Sequence, residues 1–542
     1  MSLKTDPKSS KVYLTGTGLG SLSAAIYLIQ DAHYEPSNIY IYEENGEDLY
    51  GGCCDAETDK NGKIHFMRGS RMFEEKFYRC TKHFWGRIPL VNEPNKTVLD
   101  EHNEHWKEYK IDTVVRLMGE NASRESGYDL GLSFADKMNF LKLSMTPERK
   151  LGTKSIREVF TEDFFKSNFW YMWRTTFAFH SWHSAVEMKR YMHLFSHQLP
   201  AIHSMSGVQR TKNTGFTSFI DPAIQYLKKQ GVNIYPNTKV VDFDLEVTKK
   251  KRRITKLYIE SEILGNKVID VSSKDRVFLT MGSMVADHTY GTNDTPVPYP
   301  TTNTPDTVHQ SWKLWEKASR KASDFGRPEV FTRDHTESRF LGFTTTFHND
   351  TFRKLFEGIV ERKMGKTGQL TLYTSPWFIT FCNYRQPMFP NQKSDTSVAW
   401  GYGLHNENLG RFVKKPMHEC SGREILEEVL GFLGIEKEKE EILDNSTTIP
   451  YYLPYGISQF LRRTNKDRPK VVPDRSENFA FLGQYTEIPK HSVFTTEYSI
   501  RSAMIACKKL VDPSFKIPKM YFSLRHPVVI IKVIKTLYRK EK

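Results

Sequence analysis

The residues with the clearest chemical potential are glycines. Gly16, Gly18, Leu19, Gly20 and Ser21 follow an apolar run beginning at Val12 and open a helical pattern. In such a turn the first glycine permits the tight bend and Gly18 lets a pyrophosphate reach the backbone. The third small residue, here Ser21, allows close helix–strand packing. The helix N-terminus offers free N–H groups and a positive dipole end to an anion. Glu43 and Glu44 end the next apolar run, with Glu43 22 residues beyond Ser21. A carboxylate there accepts ribose hydroxyls and repels a 2′-phosphate. Gly51 and Gly52 follow and allow close backbone approach to a cofactor. Together these features predict a dinucleotide site, although the first turn alone does not separate NAD from FAD. A second glycine turn at Gly483, ahead of a helix starting near Thr496, favours FAD. Val240, Ser283, Met284 and Phe494 complete the expected lining.

Other reactive side chains signal less. His180 and His183 have the spacing of a metal pair, but no third ligand is suitably spaced, so they and His193 read as structural or lining residues. The six cysteines form no CxxC pair and no zinc spacing. Neither a metal site nor a disulfide framework is signalled, and a reducing, cytoplasmic compartment is the default expectation.

The elements that must position the glycines are legible. A strand over KVYLTG, a helix over residues 21–31 and a strand over NIYIYE make a β-α-β unit. Residues 80–200 read as mostly helical and rich in aromatics. Helix FTSFIDPAIQYLKKQ ends at Gly231, strands and hairpins follow to about residue 280, and NFAFLGQ with TEYSIRSAMIACKKL repeats strand then helix. The Pro/Thr-rich stretch PVPYPTTNTP marks a domain boundary. We therefore expect an α/β fold with α+β insertions, built around a Rossmann-like domain from the separated segments 1–80, 206–295 and 441–515. Residues 81–205 form a helical cap and substrate region, 296–440 a substrate-binding region and 516–542 a basic tail.

The chain has 542 residues and a net charge of +14, with eight basic residues and one acid between Lys516 and Lys542. No apolar run is long enough to span a bilayer. The tail SLRHPVVIIKVIKTLYRKEK places Lys532, Lys535, Arg539 and Lys542 at helical steps beside apolar residues. Such a helix suits an anionic membrane surface, or docking against the body or a dimer partner. No recognition motif accompanies the charge, so nucleic-acid binding is not expected.

Long segments in the same order resemble the oleate hydratases, FAD-dependent fatty acid hydratases also called myosin-cross-reactive antigens. They include GTGLGSLSAAIYLIQD, MRGSRMFEEKFYRC, TTFAFHSWHSAVEMKRYM, SPWFITFCNYRQPMF and ENFAFLGQYTEIPKHSVFTTEYSIRSA. The resemblance implies bound FAD, a long-chain unsaturated fatty acid substrate and a homodimer. It also implies addition of water across a cis double bond without net redox change. In the family's flavin-contacting loop, here Arg68, Gly69, Ser70, Arg71, Met72, Phe73 and Glu74, Met72 stands where the water-activating Glu is found. Glu74 and Glu75 are the nearest carboxylates. Asn213 occupies the proton-donor Tyr position, with Lys212 beside it. In the family's acyl-carboxylate segment Arg385, Gln386 and Pro387 are kept, while Cys382, Tyr384 and Met388 replace polar ligands. These departures leave open a hydratase with shifted chemistry, a flavin-dependent double-bond isomerase, or a non-catalytic flavin- and lipid-binding member.

Overall fold

The computed structural model describes residues 6–69, 71–300, 302 and 308–540. Its first element, Val12–Thr15, is the centre of a five-stranded parallel sheet. Arg276–Thr280 and Ile39–Tyr42 flank it, and Phe479–Leu482 and Asn233–Tyr235 form the edges. Numbered along the chain, these strands lie in the order 5-4-1-2-3.

Both faces of the sheet are covered, which is why its strands read as nearly unbroken apolar runs. Leu14, Ile39, Ile41 and Ala480 point to the side of the helices Leu19–Gln30 and Thr496–Leu510. Tyr13, Tyr42, Leu279 and Phe481 point the other way. They pack with Phe243 and Leu257 of an antiparallel three-stranded sheet and with Trp312 and Trp315 of helix Gln310–Lys321.

A second, eight-stranded mixed sheet is assembled from distant pieces. Its centre is Phe340–Phe347, between Ser397–Gly403 and Ser446–Leu453. Phe343, Leu370, Ile379 and Ala399 face the helices Thr351–Val360 and Gly422–Phe432. Phe340, Val398, Trp400, Tyr402 and Tyr451 face the main core. This sheet crosses the expected segment boundaries. Ser446–Leu453, Thr289–Tyr290 and Leu117–Met118 all belong to it. An apolar run of strand length shows that a strand forms, but its partner is set by long-range pairing, which spacing does not carry. The expected connection at residues 296–305 lies partly outside the described residues.

Residues 79–201 are mainly helical, with Phe134–Met145, Asn168–Phe177 and Ala185–Phe195 as the longer packed pieces. Ser133, Ser167 and Ser184 cap their N-termini by accepting backbone N–H bonds. The bulky run after Asn168 buries Trp170, Met172 and Trp173 in the main core. The tail forms helix Pro527–Leu537, packed on the turn Ser196–Ala201. Lys542 lies outside the described residues. No described helix is long and apolar enough to cross a membrane.

Candidate functional site

Two large cavities and a smaller one lie in a row. The first, of about 1220 Å³, opens at the carboxyl ends of the parallel strands. The glycine turn Gly16–Gly20, Glu43, Glu44, Gly51, Gly52, Val240, Ser283, Met284, Gly483 and Phe494 all line it, as expected. Ser21 lies just beneath. Its hydroxyl donates to Thr15 O at 2.7 Å, so it ties helix to strand rather than facing the cavity. A close helix–strand approach falls at Gly20, where a Cβ would sit 3.3 Å from Leu482 Cβ.

Gly16 needs its glycine, with φ +78°. Gly18 does not need it for the fold, since its φ is −71° and a Cβ there would meet nothing within 4 Å. Helix Leu19–Gln30 has no side-chain cap and no acid in its first turn. A free helix N-terminus facing open space through a residue without a side chain is the cradle a pyrophosphate requires. Gly483 closes the opposite side at φ +91°, with its N–H donating to Ser502 Oγ at 3.0 Å.

The two acids are used differently. Glu43 Oε2 accepts from Thr17 N and Thr17 Oγ1, both at 2.7 Å, and Oε1 accepts from Asn45 N and Nδ2, both at 3.0 Å. Four donors fill a carboxylate, so Glu43 pins the glycine turn. Among the described residues, Glu44 accepts from Gln310 N at 3.0 Å to each oxygen, with His309 Nδ1 at 3.2 Å and Lys239 Nζ at 3.9 Å.

The second cavity, of about 990 Å³, is enclosed mainly by apolar side chains. Met72, Phe73, Trp173, Phe177, Phe195, Leu199 and Ile202 line it, with Glu74, Tyr78, Thr176 and Gln198 as polar groups. Glu74 is buried. It accepts from His197 Nε2 at 2.8 Å, from Lys76 N at 2.7 Å and from Phe77 N. His197 Nδ1 bonds Ser523 Oγ at 2.7 Å. Glu75 points outward and pairs with Lys82. Burial, and secondarily the charge of Glu74, pushes the Tyr78 phenol far up, so it stays protonated.

The third cavity joins the other two. Arg71 and Phe494 line all three, and Cys53, Met72, Thr176 and Met284 are each shared by two. Arg68 and Gly69 line the junction, and Asp55 holds the Arg68 guanidinium at 2.6 Å. Ser70 lies outside the described residues. Arg71 Nη2 donates to Cys53 O at 2.7 Å. The Cys54 hydrogen bond and the Arg71 charge, acting against burial, hold the first ionisation of the Cys53–Cys54 pair low, at about 6.

The remaining expected residues are not in the row. Asn213 lines none of the three cavities, and its Nδ2 donates to Met388 O at 3.3 Å. Met388 is thereby tied to the Asn213 segment and is buried. Cys382 and Tyr384 are buried beside Arg210, whose guanidinium lies 4.8 Å from the Tyr384 ring. Arg385 bonds His105 Nδ1 at 3.1 Å and lies over the Tyr109 ring. His183 Nδ1 accepts the His180 backbone N–H at 3.0 Å, which makes that pair a packed turn. Reading the sequence segment by segment missed Tyr78, Tyr191 and His197. Tyr78 and Tyr191 lie inside matched segments, but a segment match does not say which of its side chains face a cavity, and His197 reaches the cavity through its bond to Glu74.

A profile of the MCRA family matches residues 9–507. An oleate hydratase from Streptococcus pyogenes is 36% identical over 533 residues, covering 96% of this chain and 88% of that protein. A linoleate hydratase from Lactiplantibacillus plantarum is 33% identical over 534 residues, covering 92% and 93%. Among solved structures, an oxidoreductase from Methanosarcina mazei covers 92% of this chain and 100% of its own, at 14% identity and a TM-score of 0.50, a likeness of fold.

Proposed function

This chain belongs to the MCRA family, and from that premise we propose that it is an FAD-dependent fatty acid hydratase. It would add water across a cis double bond of a long-chain unsaturated acid such as oleate. The observation that carries this reading is the row of cavities, in which a glycine-lined polar space and an apolar space share Arg71 and Phe494.

The residues of the first cavity fit a flavin dinucleotide. Gly18 and the uncapped start of helix Leu19–Gln30 would hold the pyrophosphate. Glu44, with acceptor capacity to spare, would take the ribose hydroxyls in place of the filled Glu43. Met284, Phe494 and Cys53 would border the ring. When bound, the flavin supplies an extended polarisable surface whose charge depends on its redox state.

The chain's own groups do the rest. An isolated alkene is a poor base, so a donor must be held against it in a dry space. With Asn213 away from the cavity, Tyr78 is our candidate donor, and Glu74 is the carboxylate that orients water and faces the developing cation. His197 fixes Glu74 by its 2.8 Å bond. Met72 supplies apolar wall at the junction.

The test is direct. Photoreduced, FAD-loaded protein is incubated with oleic and linoleic acids, and the products are weighed by mass spectrometry. A product heavier by one water supports the proposal. A shifted double bond without added mass identifies an isomerase instead, and unchanged acids identify a lipid-binding member of the family.

A further inference from the structure

The row of cavities passes a pair of adjacent thiols that the proposed hydration does not use as nucleophiles. Cys53 and Cys54 both line the first cavity, and Cys53 continues into the junction. Glu43, Glu44 and the first glycine turn line the first cavity but not the junction, so the thiols lie toward the end that adjoins the apolar space. A tight turn carries the pair. Gly51 and Gly52 have φ of +93° and +58°, and the short helical turn Gly52–Cys54 follows. Gly51 N donates to Thr17 Oγ1 at 3.1 Å, which ties this turn to the first glycine turn. On its far side Asp55 is held by Arg68 at 2.6 Å. The pair is thus fixed at both ends on the cavity wall.

Its surroundings favour thiol chemistry. Arg71 Nη2 donates to Cys53 O at 2.7 Å, which brings a guanidinium beside the sulfurs. The thiolate is the reactive form of cysteine, and a neighbouring cation favours it. Cys80, Cys382, Cys420 and Cys507 are buried, and burial raises each of those thiols above its ordinary value. The Cys53–Cys54 pair instead gives up its first proton at about 6. Neighbouring Cα atoms are about 3.8 Å apart, short of the roughly 4.4–6.8 Å that disulfides span. A disulfide between adjacent cysteines is therefore strained, and strained disulfides are the readily reduced ones.

We propose that Cys53 and Cys54 form a dithiol–disulfide couple that a hydroperoxide oxidises and that reduced FAD in the first cavity resets, an inference that rests on the cofactor reading above. In the first step the Cys53 thiolate attacks the peroxide. An S–O bond forms, the O–O bond breaks, and the departing oxygen takes a proton to leave as water or an alcohol. In the second step the Cys54 sulfur attacks the Cys53 sulfenic acid. The S–S bond forms, the S–O bond breaks, and the hydroxide takes the Cys54 proton to leave as water. In the reset, reduced FAD gives two electrons and two protons to the disulfide, the S–S bond breaks, and two thiols and oxidised FAD result. The oxidised pair thereby withdraws the electrons held by the flavin and couples the site to peroxide.

The experiment has two stages. Flavin-free, full-length protein is treated with hydrogen peroxide, denatured, alkylated with iodoacetamide and digested. The peptide holding Cys53 and Cys54 is expected unalkylated and lighter by two hydrogens, and dithiothreitol should restore both thiols. Peroxide-treated protein, freed of peroxide, is then given photoreduced FAD under argon. In the wild type the absorption of oxidised flavin should return as the disulfide opens to two alkylatable thiols. With Cys53→Ser or Cys54→Ser the flavin should stay bleached. Phenylarsine oxide bridges two neighbouring thiols with loss of water. Applied to the wild type before the peroxide, it should also keep the flavin bleached, a control that needs no variant to fold. A Cys53 peptide heavier by oxygen atoms and without the disulfide overturns the proposal. So does flavin absorption that returns equally in the wild type and both variants. A protein that takes up no FAD in either redox state removes the proposal together with the cofactor reading. An FAD-loaded wild type whose flavin stays bleached beside an intact disulfide overturns this proposal alone.

Discussion

Gly18 separates what the fold needs from what a ligand needs. A Cβ at this position would meet nothing within 4 Å, yet a side chain there would fill the space before the helix N-terminus. Gly18→Val should therefore change unfolding free energy by less than about 1 kcal/mol while weakening FAD binding by at least about tenfold, as measured by flavin fluorescence. Equal loss of stability and binding would refute this assignment. Glu74 and Tyr78 carry the acid–base argument. Glu74→Gln and Tyr78→Phe should each lower kcat by roughly 100-fold or more with flavin affinity retained, whereas Asn213→Ala, away from the cavity, should leave kcat within about twofold. Steady-state kinetics on detergent-dispersed oleate distinguishes the three. Cys53 gives a pH signature. Its pair loses the first proton at about 6, so alkylation by iodoacetamide in the flavin-free protein should rise through that pH and level off above it. A rise centred near the ordinary thiol value of about 8.5 would show that the Cys54 hydrogen bond and Arg71 do not together outweigh burial.

At the scale of elements, a network of ion pairs holds the cavity wall. Helix Ala185–Phe195 supplies Tyr191 and Phe195 to the cavity. A buried network clamps it, with Arg190 on Glu148 and Glu487 at 2.8 Å each, and Arg463 on Glu187 at 2.8 Å and on Glu487 at 3.0 Å. Burial raises the Glu487 carboxyl, but Arg463 and Arg190 outweigh it and hold it at about 2, below its ordinary 4.5. The stabilisation is therefore complete above about 4.5 and is lost as pH falls toward 2. Glu487→Gln should lower stability by about 3–5 kcal/mol near neutrality and flatten acid unfolding in that window. Denaturant melts across pH would show it, and an unchanged acid limb would contradict it. These elements also mark where the sequence was legible. Helix ends at Gln30, Gly231 and Leu510 lie close to the expected ones, because caps and periodicity are local signals. The eight-stranded sheet was not foreseen as one unit, because no local signal pairs Ser446–Leu453 with Phe340–Phe347.

At the scale of the whole molecule, the chain brings a loop at 71, a helix end at 177 and a turn at 494 to one junction. The first glycine turn was legible where the fold itself demands a small residue, at Gly16 by its positive φ and at Gly20 by its close strand. Positions singled out by the family resemblance, such as Asn213, Cys382 and Met388, line none of the three cavities, because resemblance of a segment does not carry its side chains' surroundings with it. The central claim is that the glycine-lined and apolar cavities serve one reaction at a shared boundary. Titrating the FAD-loaded protein with stearate, which binds as an acyl chain but has no double bond to hydrate, tests this through the flavin absorption spectrum. The account predicts a saturable spectral shift that is lost when Phe177→Trp fills the apolar side of the junction. Saturable stearate binding by calorimetry with an unperturbed flavin spectrum would contradict it.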